Sequence, residues 1–359
     1  MPSSREHHRT PARAKEGKPA PGRKEELQNR LLELLSIGRL VITPQWNHPA
    51  SDWVTSVCAD DIDDDGDIEI IAGSRDGYVR VLTRQGIRRW EKSIGQGHWI
   101  TTIALIPSTT SSKFSPRIIA GTRDGKLYAF DQQGNQLADW SYQTEQGQVI
   151  HQIYVHHAHP DEIIVGAEDR QICLLDSDTG ACRWCYGIKG RVLSVYAADI
   201  DGDGDEEILA SATDKQIYIL SRQGELKSTI KLAYKSYILA ATEMVEDDTR
   251  DQQATIFASY NGKDLRGWTT LRHAHSSGNG ANGALTSRTW PPHVHGNQQV
   301  AITFQRRPQA IHIADINNDG QPEILVGSTD HFLYILDHLG QLLWKHDCKQ
   351  SIYSICTRD

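Results

Sequence analysis

One pattern recurs six times along the chain, and this periodicity is what most limits the possible folds. The copies are IEIIAGSRDGYVRVLTRQG, PRIIAGTRDGKLYAFDQQG, DEIIVGAEDRQICLLDSDTG, EEILASATDKQIYILSRQG, ATIFASYNGKDLRGWTTL and PEILVGSTDHFLYILDHLG. Their aligned apolar positions, Ile70, Ile118, Ile163, Ile208, Ile256 and Ile324, lie 48, 45, 45, 48 and 68 residues apart. Each copy alternates short apolar runs with turn signals such as Asp76-Gly77 and Gln85-Gly86, which reads as antiparallel strands. A further strand precedes each core: VTSV, ITTI, IHQI, VLSV, ILAA and AIHI. A fourth follows, often carrying tryptophan: Trp90, Trp140, Trp184, Trp344. Four strands in ~45 residues make a propeller blade, which cannot bury both faces alone and so stacks radially on its neighbours. The sequence therefore predicts an all-β propeller over residues 39–359.

The last residues, SIYSICTRD (351–359), match WVTSVCADD (53–61). Two readings follow: the chain is cut inside a seventh blade, or this strand helps close a six-bladed ring. The first is favoured, because Asp359 falls where Asp61 opens an acidic loop. Residues 1–23 are rich in Pro, Arg, Lys and Ser and read as a disordered basic tail. In residues 24–38, Leu27, Leu31, Leu32 and Leu35 recur at helical spacing before Gly38, which predicts a short amphipathic helix. Residues 272–297, rich in Gly, Asn, Ser and His, read as a flexible insertion in blade five.

The formal net charge is −8, which leaves no nucleic-acid footprint. No apolar run approaches the ~20 residues of a membrane helix. The N-terminus lacks the apolar stretch of a secretory signal, so the expected compartment is the cytoplasm, with an extracellular location the alternative if the start is misassigned. There the six cysteines, Cys58, Cys173, Cys182, Cys185, Cys348 and Cys356, are expected to be free thiols. Cys182 and Cys185 form a C-x-x-C, but on a strand residues three apart face opposite sides, so structural thiols are favoured over redox or zinc roles. His156, His157, His159, His293 and His295 read as polar side chains facing solvent rather than as transition-metal ligands.

Three stretches carry the candidate chemistry. DIDDDGDIE (61–69), DIDGDGDEE (199–207) and DINNDGQPE (315–323) all lie between the first and second strands of their blades. Each has Asp or Asn at positions 1, 3 and 5, Gly at 6 and Glu at 9. Alternate residues of a tight loop can face one cation, and Gly allows the bend. The ligands are all hard oxygens, which suits Ca²⁺. The candidate side-chain ligands are Asp61, Asp63, Asp65 and Glu69; Asp199, Asp201, Asp203 and Glu207; and Asp315, Asn317, Asp319 and Glu323. Asp67, Asp205 and Gln321 would give backbone carbonyls. The third loop has one carboxylate fewer and is expected to bind most weakly. The competing reading is a solvated acidic turn.

Asp-x-Asp-x-Asp-Gly followed by Glu-Ile-Leu and Gly-Ser resembles the FG-GAP/VCBS repeats of integrin-α-type propellers. That resemblance implies the same calcium ligands residue by residue, although AGSRDG stands where the Phe-Gly/Gly-Ala-Pro core would be. GKLYAFDQQGNQLADW, LLDSDTGACRW and LYILDHLGQLLW resemble blades of quinoprotein propellers, including a tryptophan that docks neighbouring blades. Quinoprotein dehydrogenases usually have eight blades and a cofactor pocket, which this sequence does not match. Cytosolic propellers of this broad group, such as BBSome subunits, are assembly scaffolds.

The sequence shows no G-x-S-x-G, H-E-x-x-H or P-loop. The expected function is thus a non-catalytic scaffold for a protein partner whose identity the sequence does not reveal. The alternatives are a propeller enzyme (lyase, glycosidase or quinone-dependent oxidoreductase) and a lectin stacking sugars on Trp53, Trp99 and Tyr237.

Overall fold

The alternating apolar runs pair into six antiparallel sheets of four strands each. The computed structural model describes residues 46–95, 97–106, 117–155, 159–200, 205–244, 253–260, 263–271, 302–316, 321–337 and 340–357. All belong to the compact unit Thr43–Asp359. Blade one runs Val54–Asp60, Glu69–Ser74, Tyr78–Thr83 and Arg88–Ser93. Blades two to six follow from Ile100, Ile150, Val192, Leu239 and Pro308. The described residues contain no helix, and none is long and apolar enough to cross a membrane. The predicted tail 1–23, helix 24–38 and insertion 272–297 lie outside the described residues. Blade five takes its third strand, Asp264–Leu271, and its fourth, Ile302–Thr303, from either side of that insertion.

Burial follows strand position. Second strands such as Glu162–Ala167 and Glu207–Ala212 are buried throughout, while fourth strands such as Cys182–Gly187 are largely exposed. First strands line a central cavity of about 620 Å³. Each apolar cluster lies between two blades: Ile119, Leu127 and Ala129 of blade two pack on Ile150, Ile163 and Val165 of blade three. A blade therefore owes its burial to its neighbours.

Two devices repeat at the blade junctions. The indole N–H groups of Trp46, Trp90, Trp140 and Trp184 donate to the carbonyls of Arg84, Gln132, Ser177 and Arg222, each in the outer turn of the following blade. The glycines in those turns, Gly86, Gly134, Gly180 and Gly224, have φ between 73° and 85°. A Cβ there would come within 3.2 Å of the tryptophan ring. The docking tryptophan implied by the quinoprotein resemblance is therefore present, and Trp46, outside the recognised repeats, performs it for blade one. The second device is polar. Ile103 N–H donates to Ser56 Oγ, Ile153 N–H to Thr102 Oγ1 and Val195 N–H to Gln152 Oε1. In blades one to three the third residue of the first strand thereby binds the backbone of the next first strand.

The seventh-blade strand expected at 351–357 is not a strand: these residues join no ladder. A first strand pairs with the second strand of its own blade, and residues 351–357 have no such pairing among the described residues. The segment instead lies between blades six and one. Ile352 N–H donates to Ser328 O at 3.3 Å, and Val57 N–H donates to Ser354 Oγ at 3.1 Å. Ser354 thus makes to blade one the contact that Ser56 makes to blade two. The six-bladed closure, the less favoured sequence reading, matches this arrangement.

Candidate functional site

Loop one is described throughout. The Asp61 carboxylate accepts the N–H groups of Asp65 at 3.2 Å and Gly66 at 2.8 Å, which curls the loop around it. Partial desolvation raises the Asp61 pKa, but these backbone donors outweigh it and hold the carboxyl below its ordinary value. Asp65 accepts the N–H of Asp67 at 2.8 Å. One carboxylate oxygen each from Asp61, Asp63 and Asp65 lies within 4.8 Å of the others. Asp63 Oδ1 is buried without a hydrogen-bond partner. An orphaned buried oxygen beside two further carboxylates fits a hard divalent cation.

Glu69 plays a different part. It is 1% exposed, and its Oε2 accepts the N–H of Ile62 at 3.2 Å. Its Oε1 meets the Arg89 guanidinium at 2.8 Å, and the same guanidinium reaches Asp63. Burial pushes the Glu69 pKa up despite Arg89. Arg89 is held above its already high value, by Asp63 first and then by Glu69. Both oxygens of Glu69 are therefore occupied by the protein itself.

The other two loops share this frame. Glu207 accepts from Ile200 N–H at 3.0 Å and pairs with Lys227. Glu323 accepts from Ile316 N–H at 3.0 Å. Asp199, Asp205, Asp315 and Gln321 are described, whereas Asp201, Asp203, Asn317 and Asp319 lie outside the described residues. Blade three lacks the acidic loop yet keeps the buried carboxylate: Glu162, 3% exposed, pairs with Arg183 and Arg222.

The cations Arg89, Arg183 and Lys227 were missed by sequence reasoning. Each is the extra residue where the register of the third and fourth strands shifts, between Val81/Leu82, Leu174/Leu175 and Ile219/Leu220. That bulge turns the side chain toward the buried glutamate. In blade six the equivalent residue is Leu343. The available signal was a basic residue one position before the docking tryptophan, as in Arg89-Trp90 and Arg183-Trp184.

The cysteine expectations are corrected. Cys173 and Cys185 are cross-strand partners and form a disulfide. Cys182 Sγ lies 3.2 Å from Cys185 Sγ. Residues three apart face opposite sides only on a regular strand, and the bulge at Arg183 brings Cys182 back to the same face.

Trp53, Trp99 and Tyr237 all line the central cavity. Their ring faces carry neighbours. Tyr353 stacks on Trp53 at 5.4 Å, and Arg75 lies 4.4 Å from the same ring. Trp99 carries Arg75 at 5.0 Å and Arg123 at 4.3 Å, and Tyr237 carries Arg307 at 4.3 Å.

A family described as outer membrane protein assembly factor BamB matches residues 43–186. One described as lambda-carrageenase beta-propeller domain matches residues 307–358. Each match covers less than half of the chain. No curated protein matches it. Among solved structures, BBS1N in complex with ARL6DN is similar in fold, at 11% identity, TM-score 0.61, with 85% of this chain and 84% of that chain covered. The WD40 β-propeller domain of Doa1 gives 14% identity, TM-score 0.58 and 86% of both chains. BamB from Moraxella catarrhalis gives 19% identity, TM-score 0.50, and 86% and 79% coverage. At such identities the likeness is one of fold. The chain is a six-bladed β-propeller with BamB-like repeats.

Proposed function

We propose that the chain is a non-catalytic, calcium-binding β-propeller that acts as a protein-interaction scaffold. The observation that carries the scaffold reading is how the ring uses its buried polar groups. Glu69, Glu162 and Glu207 are spent on strand-borne cations, and Ser56, Thr102 and Gln152 on the next blade. These groups build a rigid frame, and binding then falls to the channel mouth and loops. The propellers it resembles include one crystallised with a protein, ARL6DN, and one described as an outer membrane protein assembly factor. The lambda-carrageenase propeller match supports a second reading, a module acting on polysaccharide, but it spans one blade.

Calcium is supported by loop one, where Asp61, Asp63 and Asp65 converge and an Asp63 oxygen lacks a donor. The FG-GAP-like reading of loops two and three extends that site to Asp199 and Asp315. The Cys173–Cys185 bond favours an oxidising compartment over the cytoplasm. The test is a melting series in millimolar Ca²⁺, Mg²⁺ and EDTA. A native-state site raises stability by ~2.7 kcal/mol at a hundredfold excess over Kd. Calcium should raise the melting temperature more than Mg²⁺, and Asp61→Asn should abolish part of the shift. Asp199→Ala should cost more of it than Asp315→Ala. Identical curves in calcium and EDTA would remove the calcium part, and substrate turnover by the purified chain would remove the scaffold part.

A further inference from the structure

The channel mouth gathers aromatic and basic residues from different blades by one backbone device. In five blades the residue after the second strand donates its N–H to the residue before its own first strand. Arg75 donates to Trp53 O and Arg123 to Trp99 O, both at 2.9 Å. Four side chains widely separated in sequence thus line one cavity. Trp53 bears Tyr353 and Arg75, and Trp99 bears both Arg75 and Arg123. Trp53 keeps 53% of its surface exposed, so the arginines sit at the open rim of the cavity. What the stacks leave available is guanidinium edge. An arginine lying over an aromatic ring keeps its N–H fork free for a planar oxyanion and is already oriented for it.

Charge points the same way. Arg75 and Arg123 have no carboxylate partner among the described residues, in contrast to Arg80, Arg89, Arg183 and Arg222. Among the described residues that line the cavity the one acidic side chain, Glu168, is taken by His151 at 3.2 Å and Arg191 at 3.3 Å. A chain with a formal net charge of −8 therefore presents uncompensated positive charge at this mouth. The cavity, about 620 Å³, is in the size range of small-ligand pockets and so has room for a few side chains of a segment that enters the mouth. A nucleic acid would meet the acidic body beyond it.

We propose that this mouth binds an acidic peptide segment of a protein partner, with two carboxylates taken by Arg75 and Arg123. The inference rests on the interaction-scaffold reading and names the chemistry of the partner.

The test is fluorescence anisotropy of the full chain with a labelled hexapeptide alternating Glu and Ser. The same peptide with Gln in place of Glu and a sulfated oligosaccharide are the comparison probes. The expected result is saturable, salt-sensitive binding of the Glu peptide alone, weakened tenfold or more by R75Q/R123Q, with the β spectrum unchanged. Lys92→Gln, on an exposed outer strand, should bind as the native chain does. If the double variant loses its β spectrum, R123Q alone is the test, because among the described residues its guanidinium contacts the Trp99 ring and no carboxylate. No binding of the Glu peptide, equal binding of the Gln peptide, equal binding by R123Q, or preference for the sulfated sugar would each overturn the proposal. Failure of the peptide while a stoichiometric protein partner still co-purifies would remove this site and leave the scaffold reading intact.

Discussion

Replacing Arg89 with leucine tests whether the fourth-strand cations hold the blades together. Leucine suits the strand, because Leu343 occupies the equivalent position in blade six. The substitution leaves Glu69, 1% exposed, with the Ile62 N–H as its remaining partner among the described residues. Breaking one side of a buried ion pair costs roughly 3–5 kcal/mol. The Arg89 side chain is 35% exposed, so water screens part of this interaction. The expected loss is therefore about 2–3 kcal/mol. Glu69→Gln keeps an acceptor for Ile62 but removes the charge. The double variant E69Q/R89L should then cost only ~1 kcal/mol, about one neutral hydrogen-bond rearrangement. Urea denaturation at constant m reads these values. The two losses should fail to add by at least ~1 kcal/mol, as expected for directly coupled groups. An R89L variant within ~0.5 kcal/mol of the native chain, or strictly additive losses, would refute the reasoning.

Other perturbations probe other junctions. Trp184→Phe removes the N–H donated to Arg222 O at 3.0 Å and should cost about 1–2 kcal/mol in the same denaturation assay. Alkylation of the native chain before reduction should label Cys182 and leave Cys173 and Cys185 unlabelled in the mass spectrum. Burial raises the Asp76 pKa, but Arg80, Ser74 and Tyr78 N–H outweigh it and hold the carboxyl below its ordinary value. A lowered folded pKa means that the stabilisation is present above the unfolded value, ~3.9, and is lost as pH falls through the folded one. Arg80→Met should flatten stability against pH in that acidic window.

The repeat was legible because blades bury apolar residues in a fixed alternation, and Ile70 to Ile324 mark it without reference to distant contacts. The acidic loops were legible for the same reason, since Asp61, Asp63 and Asp65 are near neighbours in sequence. The partners of Glu69 and Glu207 were not. Arg89 and Lys227 reach them only because a bulge reverses the facing of one residue, and a bulge leaves no mark in alternation. The same bulge hid the approach of Cys182 to Cys185. Trp53 and Trp99 were placed at the starts of first strands, but the arginines over them come from the ends of second strands, which antiparallel pairing within the blade brings near. The match of SIYSI to VTSV is a likeness of side-chain pattern, whereas strand formation depends on a pairing partner, and residues 351–357 join no sheet among the described residues.

The most direct measurement of the scaffold reading is quantitative affinity purification of the full chain and R75Q/R123Q at equal expression, followed by elution with the Glu-containing hexapeptide. An interaction module should retain a stoichiometric protein partner that the peptide releases and the double variant holds less well. Recovery of no stoichiometric partner, together with turnover of a small molecule or polysaccharide by the purified chain, would contradict it.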